Sequence, residues 1–230
     1  MNNIITIFKK QAKDTMKNRV VFLQFFMCPI LAIVMEKFMN AEGTPHLFYF
    51  RMMSGMYITF APITAMASIM SEEKEKNTLR VLIMSNVKAW QYILGTGIYV
   101  LGMSLIGSTA MAVAAGLPKG DLPLYYGFMT LGFIVSILIG AAIGMYGKNQ
   151  MAAQSIATSV MLVVGFLPTL ATFNETIQKI ARFLYNQQII NIFNDMSIDN
   201  LGIKRVIILV ASVIIAVAVF YGAFKKKGLE

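Results

Sequence analysis

Six long apolar stretches without charged residues constrain the fold of this sequence more than any other feature. They cover residues 20–35, 52–70, 92–117, 124–146, 151–170 and 206–224. A helix needs about 20 apolar residues to cross the hydrocarbon core of a bilayer, and it satisfies its own backbone hydrogen bonds there. Only 13% of the 230 residues are charged, against about 25% in a soluble domain. The sequence therefore predicts an all-α membrane protein, a single transmembrane domain over residues 1–230 with six transmembrane helices.

The distribution of Lys and Arg predicts the orientation of the chain. Cytoplasmic loops of membrane proteins carry an excess of these residues. With the N-terminus inside, 13 of the 20 Lys and Arg fall on the cytoplasmic side, namely Lys9, Lys10, Lys13, Lys17, Arg19, Lys74, Lys76, Arg80, Lys88, Lys148, Lys225, Lys226 and Lys227. We therefore expect a multi-pass protein of the cell (plasma) membrane with both termini in the cytoplasm.

The amino-acid composition argues against several classes of function. The net charge of +9 follows from the membrane orientation, so we expect membrane lipid and no nucleic acid as a partner. One cysteine and one histidine give no disulfide and no metal site, and no catalytic residues stand out. Residues 147–149 come nearest to a nucleotide-binding loop but lack its Ser or Thr. The spans hold no ionisable group of the kind that ion-coupled transporters use.

Two peripheral segments carry helical patterns outside the spans. Residues 1–19 are basic and amphipathic, which predicts either an interfacial helix lying flat on the membrane or a plain basic tail. Residues 171–205 are too interrupted to cross the membrane, and they predict short re-entrant or interfacial helices on the outer face.

Small residues recur every fourth position in the fourth span, at Gly132, Ser136, Gly140 and Gly144. Such a stripe lets another helix approach closely. We interpret it as a helix-packing surface within the chain, and a subunit interface is the alternative.

The cytoplasmic segment 71–91 is too patterned for a simple turn. We expect Ser71 to cap the N-terminus of a helix. Its first turn is acidic, with Glu72, Glu73 and Glu75, and the helix dipole favours negative charge there. An apolar stripe at helical spacing follows, at Leu79, Leu82 and Ile83. Such a helix is suited to docking onto another protein, and a solvated charged helix is the equally weighted alternative.

The same segment resembles the stretch after the second span of ABC-2 type permeases, whose pattern is approximately E-x-E-x-G-T-x-E-x-L-x-x-[ST]-P. The matching residues are Glu73, Glu75, Thr78, Leu82 and Ser85. Asn77, Arg80 and Asn86 stand where the family has glycine, glutamate and proline, and asparagine tolerates the left-handed conformation that glycine supplies. In the family this segment is the coupling helix that contacts the ATPase. The resemblance thus implies ATPase-coupling residues at Glu72, Glu73, Glu75, Thr78, Leu79, Leu82 and Ser85.

The resemblance extends over nearly the whole chain. The family has six spans, an N-terminal interfacial helix and outer half-helices before the last span, and its proline at the end of the fifth span corresponds to Pro168. It implies a permease subunit of an ATP-driven exporter that moves a hydrophobic or amphipathic substrate (peptide, drug or lipid) out of the cytoplasm. This chain would hold no cofactor, because ATP and Mg would bind a partner ABC ATPase subunit, and a second permease chain would complete a homo- or heterodimer.

Two other functions are compatible with six spans. A channel or secondary carrier would work on a gradient without an ATPase, although the uncharged spans count against it. A membrane-embedded enzyme or an immunity-type scaffold would also be a multi-pass protein, but no cluster of polar catalytic groups is evident at one membrane face.

Overall fold

The computed structural model describes residues 2–39, 45, 47–196 and 202–227. These residues form ten α-helices and no strand, namely α1 (Asn2–Lys17), α2 (Arg19–Phe38), α3 (Phe48–Glu75), α4 (Thr78–Met84), α5 (Ala89–Ala114), α6 (Leu122–Tyr146), α7 (Gln150–Ala171), α8 (Glu175–Ala181), α9 (Tyr185–Asp195) and α10 (Ile203–Lys227). Six of them, α2, α3, α5, α6, α7 and α10, are long and apolar enough to cross a membrane. The predicted all-α fold with six spans is confirmed.

Helix α3 is the centre of the bundle. Helices α2, α5, α6, α7 and α9 all pack against it, and 94% of its most apolar stretch is buried, against 17% for α10. Its 28 residues give a length of about 42 Å, which exceeds the roughly 30 Å of a hydrocarbon core. Helix α3 is therefore long enough to extend beyond the apolar layer. We call its two ends the α4 end, at Glu75, and the α9 end, at Phe48.

Three helices contain an internal proline, and each proline leaves one backbone carbonyl without its helical partner, four residues earlier. A side chain from another helix donates a hydrogen bond to each of these carbonyls. Tyr57 donates to the Phe25 carbonyl at 2.9 Å, four residues before Pro29. Ser136 donates to the Ile58 carbonyl at 2.6 Å, four residues before Pro62.

The third proline follows the same rule. Asn186 Nδ2 of α9 donates to the Val164 carbonyl at 2.8 Å, four residues before Pro168 of α7. An unpaired backbone carbonyl is costly in a bilayer, so neighbouring helices commonly re-satisfy the carbonyl that a proline frees. All three internal prolines of the described helices are thus matched by a donor on a different helix, and these bonds join α2 to α3, α3 to α6, and α7 to α9.

The small-residue stripe of α6 lies against α3. A side-chain Cβ at Gly140 would stand 2.6 Å from the Ile63 carbonyl oxygen, and one at Gly144 would stand 2.8 Å from Met70 Cβ. Gly132 makes room for Ile58 of α3 in the same way, and Ser136 supplies the bond to α3 described above. The stripe therefore lies against α3 within the chain.

Helices α8 and α9 lie in the segment predicted as re-entrant, of which residues 197–201 are outside the described part. Helix α9 is wedged between α3, α6 and α7. Ile189 and Phe193 are fully buried, and Ile190 occupies the space left by Gly55 of α3. The Tyr185 hydroxyl lies 2.7 Å from Ser136 Oγ. Because the Ser136 hydroxyl already donates its proton to the Ile58 carbonyl, the Tyr185 hydroxyl is the donor in this pair. Re-entrant placement in a membrane stays a prediction.

The N-terminal segment is a helix, as predicted, and the edge that it buries combines apolar and polar residues. Ile7, Gln11 and Thr15 are almost fully buried, and α1 packs against α5 and α2. Ile5, Phe8 and Met16 of the same helix are exposed. A half-polar edge is buried because its polar side chains find partners inside the protein, and an apolar face is left free. Its placement on a membrane surface stays a prediction.

Candidate functional site

The candidate coupling segment begins differently from the sequence prediction. Ser71 does not cap a helix, because α3 continues through it to Glu75 and the Ser71 hydroxyl donates to the Ala67 carbonyl at 2.7 Å inside α3. The chain turns at Asn77, whose φ of 56° is left-handed, in agreement with the role inferred for asparagine at the glycine position. The Thr78 hydroxyl donates to the Glu73 carbonyl at 3.0 Å and fixes the start of α4.

Helix α4 has one face packed on the protein and one face in the open. Leu79 is buried at 3% exposure, and Leu82 packs against the core. The opposite side presents Val81 and Met84, with exposures of 61% and 81%, flanked by Arg80 and Ser85, both exposed. The Ile83 side chain is outside the described part. The apolar stripe of the sequence thus anchors α4, and the exposed residues form a surface that we call the α4 face, Arg80, Val81, Met84 and Ser85.

Four consecutive residues at the end of α3 each bind another helix, because successive residues of a helix point in different directions. Glu72 Oε2 accepts from Asn18 Nδ2 at the start of α2, at 3.0 Å. Lys74 donates to the Met145 carbonyl of α6 at 2.8 Å. Glu75 accepts from the Gln150 backbone N–H of α7 at 2.7 Å. We call residues 72–75 the α3 junction.

Glu73 completes the α3 junction by holding α1. Its side chain is buried, and Oε1 accepts from Lys10 Nζ and from Gln11 Nε2, the latter at 2.8 Å. Gln11 also reaches Thr96 of α5 at 3.4 Å. A buried carboxylate needs such charged and hydrogen-bonding partners. This explains why the polar edge of α1 faces inward.

The groups around Lys10 stabilise its charged form. Burial lowers the pKa of its ammonium group, but the hydrogen bond and charge of Glu73, with a further contribution from Asp14 at 3.0 Å, outweigh burial and leave the pKa raised. On the exposed side of the same junction, Lys76 lies 2.5 Å from Glu72, and this contact raises the pKa of Lys76.

The predicted coupling residues differ in burial. Glu73 and Leu79 face inward, and Glu72, Thr78 and Leu82 are half-buried, whereas Glu75 and Ser85 are exposed. The sequence reasoning missed Lys10 and Gln11 of α1 and Gln150 of α7, which bind the acidic residues. The spacing of Ile7, Gln11 and Thr15 at every fourth residue was the available signal for the buried edge of α1.

A polar cleft borders the α3 junction. It has a volume of about 670 Å³ and lies between α1, the start of α2 and the end of α3. Its lining carries charges of both signs, including Lys17, Arg19, Asp14 and Glu72. Among the described residues, no three His, Cys, Asp or Glu side chains come together as a metal site.

The fold and the site place the chain among the helical membrane proteins. In this class of architecture, a short helix with an exposed face follows the second of six spans. A family model described as ABC-2 family transporter protein matches residues 5–224. The chain belongs to the ABC-2 transporter family. It is accordingly a membrane transport subunit of an ABC transporter, of a family that generally works with an ABC ATPase subunit. No individual curated protein matches the chain.

Proposed function

We propose that this chain is the permease subunit of an ATP-driven exporter whose ATPase subunit docks on the α4 face. Its substrate is a hydrophobic or amphipathic molecule, a peptide, drug or lipid, moved out of the cytoplasm. In this proposal the α4 end is cytoplasmic, both termini lie on that side, and two permease chains join two ATPase subunits. ATP and Mg act on the partner, and this chain supplies no catalytic group.

One observation carries the proposal. The α4 face is exposed and partly apolar, while the segment beneath it, the α3 junction, binds α1, α2, α6 and α7 directly. A partner that displaced α4 would act on the end of α3 through Leu79 and through the bond from Thr78 to Glu73. The end of α3 cannot move without changing its bonds to four other helices. ATP-driven motion of a docked subunit would thus reach most of the bundle.

The α4 face and the α3 junction have different roles in this scheme. The α4 face, with Val81 and Met84, makes the contact with the ATPase, and exposed apolar side chains of this kind are typical of docking sites. The acidic residues of the α3 junction transmit the motion, because their carboxylates are already engaged within the chain. Ser85, in the α4 face, is the predicted coupling residue that is placed to touch the partner directly.

Co-purification with a candidate ABC ATPase subunit tests the docking surface. Met84→Asp places a charge in the proposed interface, and Met151→Asp is its matched control. Met151 is the second residue of α7, at the same end of the bundle, and is 80% exposed, against 81% for Met84. We expect Met84→Asp to release the ATPase and Met151→Asp to retain it. Retention by both variants would contradict the docking proposal.

A second variant separates docking from transmission. Glu73→Gln keeps the shape of the side chain and removes the charge that binds Lys10. We expect the ATPase to co-purify with this variant while ATP-dependent export falls. Release of the ATPase by Glu73→Gln with retention by Met84→Asp would reverse the two roles. Gradient-driven flux in liposomes without any ATPase would support the channel or carrier alternative.

A further inference from the structure

A cavity of about 270 Å³ lies at the α9 end of the bundle, opposite the α3 junction. Helices α3, α7 and α9 enclose it. Arg51, Thr169, Thr172 and Asn194 are its polar lining residues, and the remaining wall is apolar, formed by Pro45, Phe48, Met52, Pro168 and Ile190. The cavity thus combines one cationic group, two hydroxyls and an amide with an apolar boundary.

Two polar atoms of the cavity lining have no partner. Arg51 Nε and Thr169 Oγ1 are buried, and within the described residues neither makes a hydrogen bond. Thr172, by contrast, donates to the Pro168 carbonyl at 3.4 Å. Buried polar atoms in native proteins are nearly always satisfied. Two unsatisfied hydrogen-bond donors on different helices, α3 and α7, indicate a ligand that brings acceptor atoms.

The charge of the cavity favours an anion. Among the described residues no carboxylate forms an ion pair with Arg51. The nearby Glu36 of α2 instead accepts from the Phe50 backbone N–H at 3.1 Å and caps the first turn of α3. Arg51 lies in that same turn, where the helix dipole adds positive potential. The guanidinium group matches phosphate and carboxylate oxygens with parallel N–H donors.

We propose that this cavity binds the phosphate-type oxyanion of an amphipathic molecule, with Arg51 and Thr169 as its donors. The volume is slightly below the roughly 300–1,000 Å³ of pockets that enclose whole drug-sized ligands, so it accommodates a headgroup and leaves an attached chain outside. This site goes beyond the export proposal, because binding requires neither an ATPase nor ATP.

Thermal stabilisation of the purified full chain in a neutral detergent tests the site. The probes are dihexanoyl phosphatidic acid, inorganic phosphate, and dihexanoylglycerol, which has the same chains without the phosphate. We expect phosphatidic acid to stabilise the protein and dihexanoylglycerol to have no effect. Arg51→Gln should weaken phosphatidic acid binding by about 10- to 100-fold, since it removes a charged hydrogen bond. Lys119→Gln removes the same charge from an exposed loop at the same end and should leave binding unchanged.

Thr169→Val provides a second variant in case Arg51→Gln does not fold. It keeps the size of the side chain, removes the hydroxyl donor and should weaken binding by about three- to tenfold. Stabilisation by inorganic phosphate that Arg51→Gln abolishes would support the oxyanion site and identify free phosphate as a sufficient ligand. Equal stabilisation by dihexanoylglycerol, or unchanged phosphatidic acid binding in both cavity variants, would overturn the proposal.

Discussion

The Tyr57 hydroxyl donates to the Phe25 carbonyl across the α2–α3 contact at 2.9 Å, and Phe25 is the residue whose carbonyl Pro29 leaves without a helical partner. The same arrangement occurs at Pro62 and Pro168. Each carbonyl that an internal proline leaves without a helical partner therefore accepts a hydrogen bond from another helix. Packing alone holds helices in many registers, whereas a hydrogen bond to one particular carbonyl selects one.

Removal of the Tyr57 donor should destabilise the protein only while Pro29 is present. We expect Tyr57→Phe to lower the free energy of unfolding by about 0.5–2 kcal/mol, because a buried carbonyl loses its partner. Pro29→Ala restores an N–H to α2, so Tyr57→Phe should cost clearly less in that background. A double-mutant cycle of unfolding in mixed detergent micelles measures the difference.

Tyr221→Phe is the control for this cycle, since Tyr221 on α10 is 63% exposed and should be neutral with or without Pro29. Equal effects of Tyr57→Phe in the two backgrounds would show that the proline does not create the need for the donor.

The close contact of α3 and α6 should not tolerate one added methyl group at Gly140. A Cβ there would lie 2.6 Å from the Ile63 carbonyl oxygen and 3.0 Å from Met66 Cβ, so the helices must separate. We expect Gly140→Ala to cost about 1–3 kcal/mol, as overpacked cores do. Gly127→Ala, in the same helix with no atom within 4 Å, should be neutral or slightly stabilising. Thermal unfolding of the two variants measures the difference in stability.

The attachment of α1 should persist at alkaline pH. The pKa of Lys10 is raised in the folded protein, so the stabilisation from its charge is fully present below about pH 10.5, the ordinary value. It is lost only as the pH rises through the higher folded pKa. The stability difference between the wild type and Lys10→Met should therefore stay constant from about pH 7 to about pH 9. A difference that shrinks within this range would show that Lys10 loses its proton early.

Cysteine labelling should place the two ends of the bundle on opposite sides of the membrane. The single cysteine, Cys28, is buried, and Cys28→Ala removes it. In that background we expect Lys119→Cys to react in intact cells with an impermeant maleimide, and Ser85→Cys to react only after permeabilisation. The reverse pattern would invert the proposed orientation and would place the α4 face outside the cell.

The number and type of helices could be predicted from sequence because each span carries its own apolar signal. The boundaries of α3 could not. The prediction ended that span at the charges of Arg51 and Glu72, whereas the structure continues the helix through both, because charged groups at helix ends extend past the apolar layer. The N-cap predicted at Ser71 was wrong for the same reason, since the acidic residues end one helix and do not begin the next.

The candidate site could be predicted only as a segment. The local pattern identified the apolar stripe of α4 and an asparagine that tolerates the left-handed conformation. It could not show that Glu73 is buried, because its partners Lys10 and Gln11 are more than 60 positions away. Bonds between distant positions leave no periodic trace in a single sequence. The roles of Tyr57 and Asn186 as hydrogen-bond donors could not be predicted either. Each internal proline does indicate that a carbonyl four residues earlier needs a donor, but not which residue supplies it.

Arg51 and Glu73 belong to the same helix, 22 positions apart, which corresponds to about 33 Å along its axis. A rigid tilt of α3 would therefore move the cavity at one end and the contact with α1 at the other at the same time. A tilt of about 5° about the midpoint would shift each end by about 1.5 Å in opposite directions, by the same helical rise. Shifts of that size are enough to make or break a hydrogen bond, so such a tilt would couple the two ends without a chain of intermediate side chains.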